Sequence, residues 1–223
     1  MKKTTALLTA GMLLVLSLTG CGVPANTVFK AEDLEGKTIG AQLGTTGYTF
    51  AETEVKDAKV EPYNKGADAV QALKQGKVDA VLIDSEPAKI FVEKNDTLRI
   101  LDDPFVQEDY AIAYKKGNDE LGKKLDDALT KLKNDGTLDE IVKHWIGDKV
   151  VGIDPDIMQA VCDELGMTLE IENMDFDAVL AAVESGKADV GVAGLSVTPD
   201  REKSVSFTQG YATSTQVIIV RKD

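Results

Sequence analysis

The sequence predicts an α/β protein of two lobes, each a mainly parallel sheet flanked by helices. Short apolar strands alternate with helices of about ten residues, which is typical of βαβ units. The stretches 69–81 and 179–191 share a helix, a Gly, a Lys-x-Asp and a buried strand. This internal echo indicates two similar units, although the same order is also common within one long sheet. Polar turns at 43–47 and 194–196 each connect a strand to a helix.

The first half of the chain shows the alternation most clearly. Apolar runs bounded by Gly, Asp or Asn predict strands, and periodic stretches between them predict helices. The predicted strands are 37–42, 60–63, 80–83 and 98–101, and the predicted helices are 48–55, 67–75 and 87–93.

After residue 108 the alternation of strands and helices is interrupted, and it returns later in the chain. Residues 109–116 alternate apolar and polar side chains, and two helices, 121–132 and 138–145, then follow without a strand between them. Consecutive helices of this kind indicate packing against the outside of a sheet. The remaining predicted elements are helix 155–165, strand 168–172, helix 176–185 and strands 189–193 and 215–220.

Composition and charge exclude some classes of function. The 223 residues are 43% hydrophobic and 28% charged, which is typical of a soluble globular protein. The formal net charge of -13 argues against a nucleic-acid partner and against adhesion to anionic lipid, since both require a positive surface. With a single His and two Cys, we predict no metal site and no cofactor.

The beginning of the chain has the pattern of an export signal. Lys2 and Lys3 precede an apolar run at 6–18, which is short for a membrane span and suits a signal peptide. The run ends in Leu18-Thr19-Gly20-Cys21, which resembles the lipobox of bacterial lipoproteins. We therefore expect residues 1–21 to direct export and Cys21 to carry a lipid anchor at a membrane surface. A free thiol after an ordinary signal is the alternative.

The turn at 194–196 is the first candidate binding site. It follows a predicted buried strand, and Thr198, Pro199 and Asp200 after it have the order of a helix start. Backbone N–H groups at such a turn are unpaired, and Arg201 adds a fork of donors that matches a carboxylate. The turn therefore predicts a carboxylate clamp, with an ordinary turn and a solvated Arg as the alternative.

Several stretches resemble the bacterial family 3 solute-binding proteins, which are the polar-amino-acid receptors of ABC importers. The resemblance covers nearly all of residues 27–223. The stretches similar to the family's first lobe are 176–177, 185–189, 193–201, 203–207 and Tyr211, and those similar to its second lobe and closing helices are 34–37, 44–46, 76–80, Asp84 and 134–145. The resemblance implies a two-lobed, type II periplasmic-binding-protein-like fold.

The order of the segments departs from the family. Here 22–108 would form lobe 2, 109–116 the hinge crossover and 117–223 lobe 1, the last joining closing helices 118–147 to an α/β segment 150–223 that comes first in the family. This order implies a circular permutation, with a junction at 147–149 and Asp223 near Thr27. It also leaves 109–116 as the only intact crossing between lobes, which predicts a loose hinge.

The family's opening strand has no counterpart before Lys149. In the family that strand is central to its lobe, so its loss would leave two neighbouring strands with unpaired backbone groups. Either another segment fills the gap or the first lobe is weakened.

The resemblance also implies roles for particular residues. Arg201 would bind the ligand's carboxylate together with the backbone N–H groups of Ser196 and Thr46, in the turn that also contains Thr45. Asp84, the Gly194 carbonyl and the Ser196 hydroxyl would hold the ammonium. For Asp84 a helix cap is the alternative.

Two further positions would contact the ligand's side chain. Phe176 would stack on it, with a purely structural core residue as the alternative, and Gln42 would line the same pocket. One polar wall does not select a particular amino acid.

The implied function is capture of a polar amino acid by a monomer and its delivery to an ABC importer permease. An amino-acid sensor and a rearranged product with little binding are the alternatives. A carboxylate dehydratase on the same scaffold is a minor one, because neither a His nor a spare carboxylate stands at a turn to act as general acid.

Overall fold

The computed structural model describes residues 23–102, 104–145 and 152–222. The predicted signal at 1–21 with Cys21, the junction at 147–149 and Asp223 lie outside the described residues. Among the described residues, no helix is long and apolar enough to cross a membrane.

Nine strands and seven α-helices, with two short 3₁₀ turns, make up the described part of the chain. The strands are β1 (Thr38–Gln42), β2 (Lys59–Tyr63), β3 (Ala80–Asp84), β4 (Leu98–Ile100), β5 (Val106–Tyr110), β6 (Ala113–Lys115), β7 (Val190–Gly191), β8 (Val205–Phe207) and β9 (Ala212–Arg221). The helices are α1 (Thr46–Thr53), α2 (Gly66–Lys74), α3 (Ser85–Glu93), α4 (Asp119–Asn134), α5 (Thr137–Trp145), α6 (Ile153–Leu165) and α7 (Phe176–Ser185).

The larger of two sheets has the strand order β2-β1-β3-β9-β4, and β5 also pairs with β9. Strand β1 is parallel to β2 and β3, whereas β9 is antiparallel to β3, β4 and β5. Neighbouring residues along each strand point to opposite faces of this sheet. Val81 and Ile219 pack with α2 residues on one face, and Leu82 and Ile218 pack on the opposite face. Both faces of this sheet are therefore covered.

Strand β9 does not belong where the sequence prediction placed it. We predicted 117–223 as lobe 1, but β9 lies inside the larger sheet with the strands of the predicted lobe 2. Its run 217–220 is buried on both faces, which a sheet covered on both sides accommodates. At its end, the Arg221 guanidinium donates to the carbonyls of Pro24, Leu73 and Val78. The end of β9 therefore lies beside Pro24, near the start of the described residues.

Two segments connect the sheets, so the prediction of a single crossing is wrong. One segment leads from β5 to β6, and the other leads from β8 to β9. They are hydrogen bonded to each other: Ile112 and Thr208 exchange bonds of 3.0 Å, and the Tyr211 N–H donates to the Tyr110 carbonyl at 2.8 Å. The argument for a loose hinge loses its basis.

The smaller sheet has the order β7-β6-β8, and both of its strand pairs are antiparallel. Helices α4, α5 and α6 pack on one apolar cluster, and α7 packs on another beside the sheet. The α/β fold class is confirmed. In the larger sheet β1 to β5 share one direction, since β9 is antiparallel to β3, β4 and β5 alike. The smaller sheet differs from the predicted mainly parallel arrangement, because both of its strand pairs are antiparallel.

Residues 168–172 form no strand, in contrast to the prediction. A cavity of about 1130 Å³ is lined by this segment, by the neighbouring strand β7 and by α6. Ile171 is 68% exposed, and Leu169 is only partly buried. An extended segment becomes a strand only when a neighbour satisfies its backbone groups, and among the described residues nothing occupies this position. The cavity lies where a strand paired with 168–172 would have to run, and the absence of the family's opening strand stays a prediction.

Candidate functional site

The turn at 194–196 is fixed by hydrogen bonds to the carboxylate of Asp154. Asp154, near the start of α6, accepts a hydrogen bond from the Gly194 N–H and one of 2.7 Å from the Tyr211 hydroxyl. Gly194 has φ +58°, in the left-handed region that favours glycine. Burial raises the pKa of Asp154, which its two donors counteract.

The helix predicted after this turn is only a single 3₁₀ turn, Arg201–Lys203. The Arg201 N–H donates to the Thr198 hydroxyl at 3.3 Å, so Thr198 acts as the predicted cap. A turn this short has little macrodipole. The anion-binding property of the site therefore depends on the Arg201 side chain and on the backbone N–H groups of the turn.

The Arg201 side chain reaches from the smaller half of the molecule to the larger. Its Nη1 donates to the Ser196 carbonyl at 2.7 Å, and its Nη2 donates to the Gly44 carbonyl at 2.9 Å. Gly44 belongs to the turn between β1 and α1. The guanidinium carbon also lies 5.7 Å from the centre of the Phe176 ring. Phe176 packs against the core beside β6 and β8 as well, so it combines its predicted place near the site with the structural alternative.

The turn after β1 supplies Thr45 and Thr46. The Thr45 hydroxyl caps α1 by accepting from the Tyr48 N–H at 3.2 Å and donates to the Gln42 carbonyl at 2.7 Å. The structure thus uses the Thr45 side chain in the turn itself. The Thr46 hydroxyl donates to Glu108 of β5, within the larger half, at 2.9 Å. Gln42 is half-buried at the end of β1.

Asp84 ends β3 and precedes α3, but its carboxylate does not cap that helix. It accepts hydrogen bonds from the side chains of Gln216 and Tyr110. Burial, with the nearby charge of Glu108, raises the pKa of Asp84 to about 7, while Tyr110 and Arg201 lower it. Asp84 thus occupies the N-cap position of α3 without capping it through its side chain, and its role in binding a ligand stays a prediction.

Two residues of this cluster escaped the sequence analysis. One carboxylate oxygen of Glu108 accepts from Thr46 at 2.9 Å, from Ser196 at 2.8 Å and from Gln216 at 3.0 Å. The Gln216 amide also contacts Asp84, so it joins the two carboxylates. A polar Gln before the apolar run 217–220, and a Glu two residues before Tyr110 on the same strand face, were the available signals.

The cluster is densely packed where the two halves meet. Gln216 is 1% exposed, and a Cβ on Gly47 would lie 2.7 Å from its side-chain oxygen. That oxygen is buried without a hydrogen-bond partner among the described residues. Burial lowers the pKa of Arg201, whereas Glu108 and Asp84 raise it. The site thus combines one guanidinium, two carboxylates, three hydroxyls and an amide where the two halves meet, with little exposure to solvent.

Comparison with known proteins identifies the family. A sequence model described as bacterial extracellular solute-binding proteins, family 3, matches residues 29–148 and 147–223. The chain belongs to this family. The resemblance found in the sequence is confirmed, and the family matches the chain in two separate segments.

Curated relatives align with part of the chain. The L-cystine-binding protein TcyJ of Escherichia coli is 34% identical over 125 residues, which cover 56% of this chain and 47% of the relative. The ABC transporter glutamine-binding protein GlnH of Bacillus subtilis is 34% identical and covered to 41%, and the arginine-binding extracellular protein ArtP of Bacillus subtilis is 34% identical and covered to 30%. The chain thus spans less than half the length of these relatives.

A solved structure of an ancestral arginine-binding protein bound to glutamine is also similar. It is 37% identical, with 56% of each chain covered and a TM-score of 0.49. By their names, the curated relatives bind L-cystine, glutamine and arginine.

Proposed function

We propose that this chain is a non-enzymatic, extracytoplasmic receptor that captures a polar amino acid between its two halves and delivers it to an ABC importer. The observation that supports it most directly is the cluster around the cleft. Arg201 and Ser196 from the smaller half meet Thr46 and Asp84 from the larger half, through Glu108 and Gln216. A zwitterion requires one cationic and one anionic partner in a site that excludes water, and this cluster supplies them.

Arg201 is proposed to bind the ligand's carboxylate. Its two recorded bonds go to carbonyls, and a guanidinium has five N–H donors, so donors remain for a carboxylate. The N–H groups of Ser196 and Thr46 would complete the anion site. Asp84, the Gly194 carbonyl and the Ser196 hydroxyl would hold the ammonium, and Phe176 and Gln42 would line the space for the side chain.

A thermal-shift screen of the purified protein against the twenty amino acids tests this function. A ligand at a hundred times its Kd stabilises the folded state by about 2.7 kcal/mol, so a bound amino acid raises the Tm measurably. We expect a shift with one class of polar amino acid. If millimolar concentrations of all twenty leave the Tm unchanged, the receptor proposal fails and a rearranged product without binding is favoured.

The Arg201→Ala variant tests the site itself. A charge-assisted hydrogen bond contributes about 1.5–3 kcal/mol, so we expect the variant to lose roughly tenfold or more in affinity by calorimetry. Arg99→Ala is the matched control, because Arg99 lies on β4 opposite Val220, four residues along β9 from Gln216. Equal losses in the two variants would contradict the proposed role of Arg201.

The proposal includes export and a lipid anchor at Cys21. Expression in a bacterial host with radiolabelled palmitate should label the wild type and leave Cys21→Ala unlabelled. Labelling that persists in the variant would place the lipid elsewhere, and a wild type that is never labelled would contradict the anchor.

A further inference from the structure

The cleft contains more negative than positive side chains. Asp84 and Glu108 both contact the Gln216 amide nitrogen, so the two carboxylates lie close together. Arg201 is the cation that acts on both of them. Two of its N–H groups are already donated to the carbonyls of Ser196 and Gly44.

A neutral zwitterion leaves this imbalance in place. Its carboxylate pairs with Arg201 and its ammonium with Asp84, and the Glu108 carboxylate then has hydroxyl and amide donors but no cation of its own. Burial and the nearby charge of Glu108 raise the pKa of Asp84, so each carboxylate disfavours the negative charge of the other. A ligand that brings a second positive charge restores the balance.

We propose that Glu108, together with Asp84, makes the cleft select amino acids whose side chain is cationic, such as arginine or lysine. This inference rests on the proposed function and adds the class of ligand to it. Glu108 projects from β5 into the cleft, where its carboxylate binds the Ser196 and Thr46 hydroxyls from opposite sides. An acidic ligand side chain placed nearby is repelled, a neutral one leaves the charge unpaired, and a cationic one forms an ion pair.

Calorimetric titration with arginine, lysine, glutamine and glutamate tests the selection. The wild type should bind arginine or lysine about tenfold or more tightly than glutamine, and glutamate weakest of all. In Glu108→Gln the amide oxygen still accepts from the Ser196 and Thr46 hydroxyls, so the packing is kept while the charge is removed. This variant should lose about tenfold in affinity for the cationic ligand and at most twofold for glutamine.

Asp109→Asn provides the matched control. Asp109 is the next residue on β5, is exposed, and accepts from the Thr213 hydroxyl at 2.9 Å, so the variant removes one charge from the opposite strand face. Its affinities should stay within twofold of the wild type. Glu108→Asp, which keeps the charge, should retain the preference for the cationic ligand.

The outcomes separate the inference from the function on which it rests. A wild type that prefers glutamine or glutamate overturns the selection and leaves the receptor function intact. Equal losses for arginine and glutamine in Glu108→Gln, with a lowered Tm, assign Glu108 a structural role and overturn the proposal. A wild type that binds none of the four ligands, nor any other amino acid in the thermal-shift screen, overturns both proposals.

Discussion

The two sheets of this molecule follow the same α/β pattern but differ in the length and pairing of their strands. In the larger half, β9 has ten residues and is paired on both edges, and residues 217–220 are at most 5% exposed. In the smaller half the strands have two or three residues, and a cavity of about 1130 Å³ lies beside β7. Helices α4–α6 supply most of the apolar cluster there. Among the described residues, the smaller half therefore has a helical core but only short strands in its sheet.

Truncation of one Leu in each half, buried in the larger and partly exposed in the smaller, should separate the two halves most strongly. Leu82 is 1% exposed in the core of the larger sheet, so Leu82→Ala should lower the free energy of unfolding by about 3 kcal/mol through lost burial and a cavity. Leu169 lies in the segment 168–172 beside the cavity, where solvent already reaches its side chain. Leu169→Ala should therefore lower the free energy of unfolding by about 1 kcal/mol or less. Urea denaturation measures both. Equal costs would mean that the smaller half is as well packed as the larger.

At neutral pH the buried carboxylate of Asp84, where the two halves meet, should lower the free energy of unfolding. Because the pKa of Asp84 is raised to about 7 in the folded protein, from 3.8 in the unfolded chain, the folded state binds more protons between these values. The contribution of Asp84 to stability is therefore fully present below about pH 4 and is lost as the pH rises through about 7. Asp84→Asn should stabilise the empty protein by roughly 2 kcal/mol at pH 8 and leave it nearly unchanged at pH 4.

Urea titrations at several pH values compare Asp84→Asn with the wild type. A residual slope from Asp154, whose pKa is also raised by burial, should remain in the variant. The same variant should lose binding of the amino acid. A variant that is less stable than the wild type at pH 8 would contradict the view that Asp84 is strained by burial.

A smaller effect is expected where the smaller half contacts the start of β9. Tyr211→Phe removes the 2.7 Å hydrogen bond to Asp154 but keeps the ring in the core. The Asp154 carboxylate retains the Gly194 N–H, so the cost should be about 1–2 kcal/mol. Thermal unfolding measures it. Phe207→Leu, a similarly small change of an aromatic residue on β8, is the control. If Tyr211→Phe leaves the Tm unchanged, water replaces the lost hydroxyl.

The smallest effect on the free energy of unfolding should come from a substitution in the segment 168–172. Ile171 is 68% exposed, so Ile171→Lys should change the free energy of unfolding by less than about 0.5 kcal/mol. Urea denaturation of the full chain is the measurement, and Thr168→Lys on the same segment is a control. A cost well above 1 kcal/mol for Ile171→Lys alone would show that another segment or molecule covers the gap and completes the sheet.

The elements of the larger half could be predicted almost residue by residue. Strands β1 and β3 and the helices around them carry local signals, such as apolar runs that end in Gly or Asp. The position of β9 could not, because its apolar run fits either sheet and only the pairing across distant residues decides between them. Residues 168–172 were predicted as a strand for the same reason: the propensity is local, but the partner strand is not.

The candidate site was predicted in part. Arg201, Ser196, Thr46 and Asp84 follow turns or strand ends, where sequence signals are strong, and the structure brings them together with Gly44 and Gly194. Glu108 and Gln216 lie within strands, where a single polar residue is as consistent with a solvent-facing position as with a cleft. Their position depends on the distant strands that surround them.

Arg201 contacts both halves while keeping donors for an anion, so under the proposed function the same guanidinium would hold the halves together and bind the solute. Thermodynamic reciprocity then requires that the factor by which closure tightens binding equals the factor by which occupancy favours closure. A membrane protein that recognises only the shut form would thereby distinguish loaded from unloaded molecules without touching the cargo.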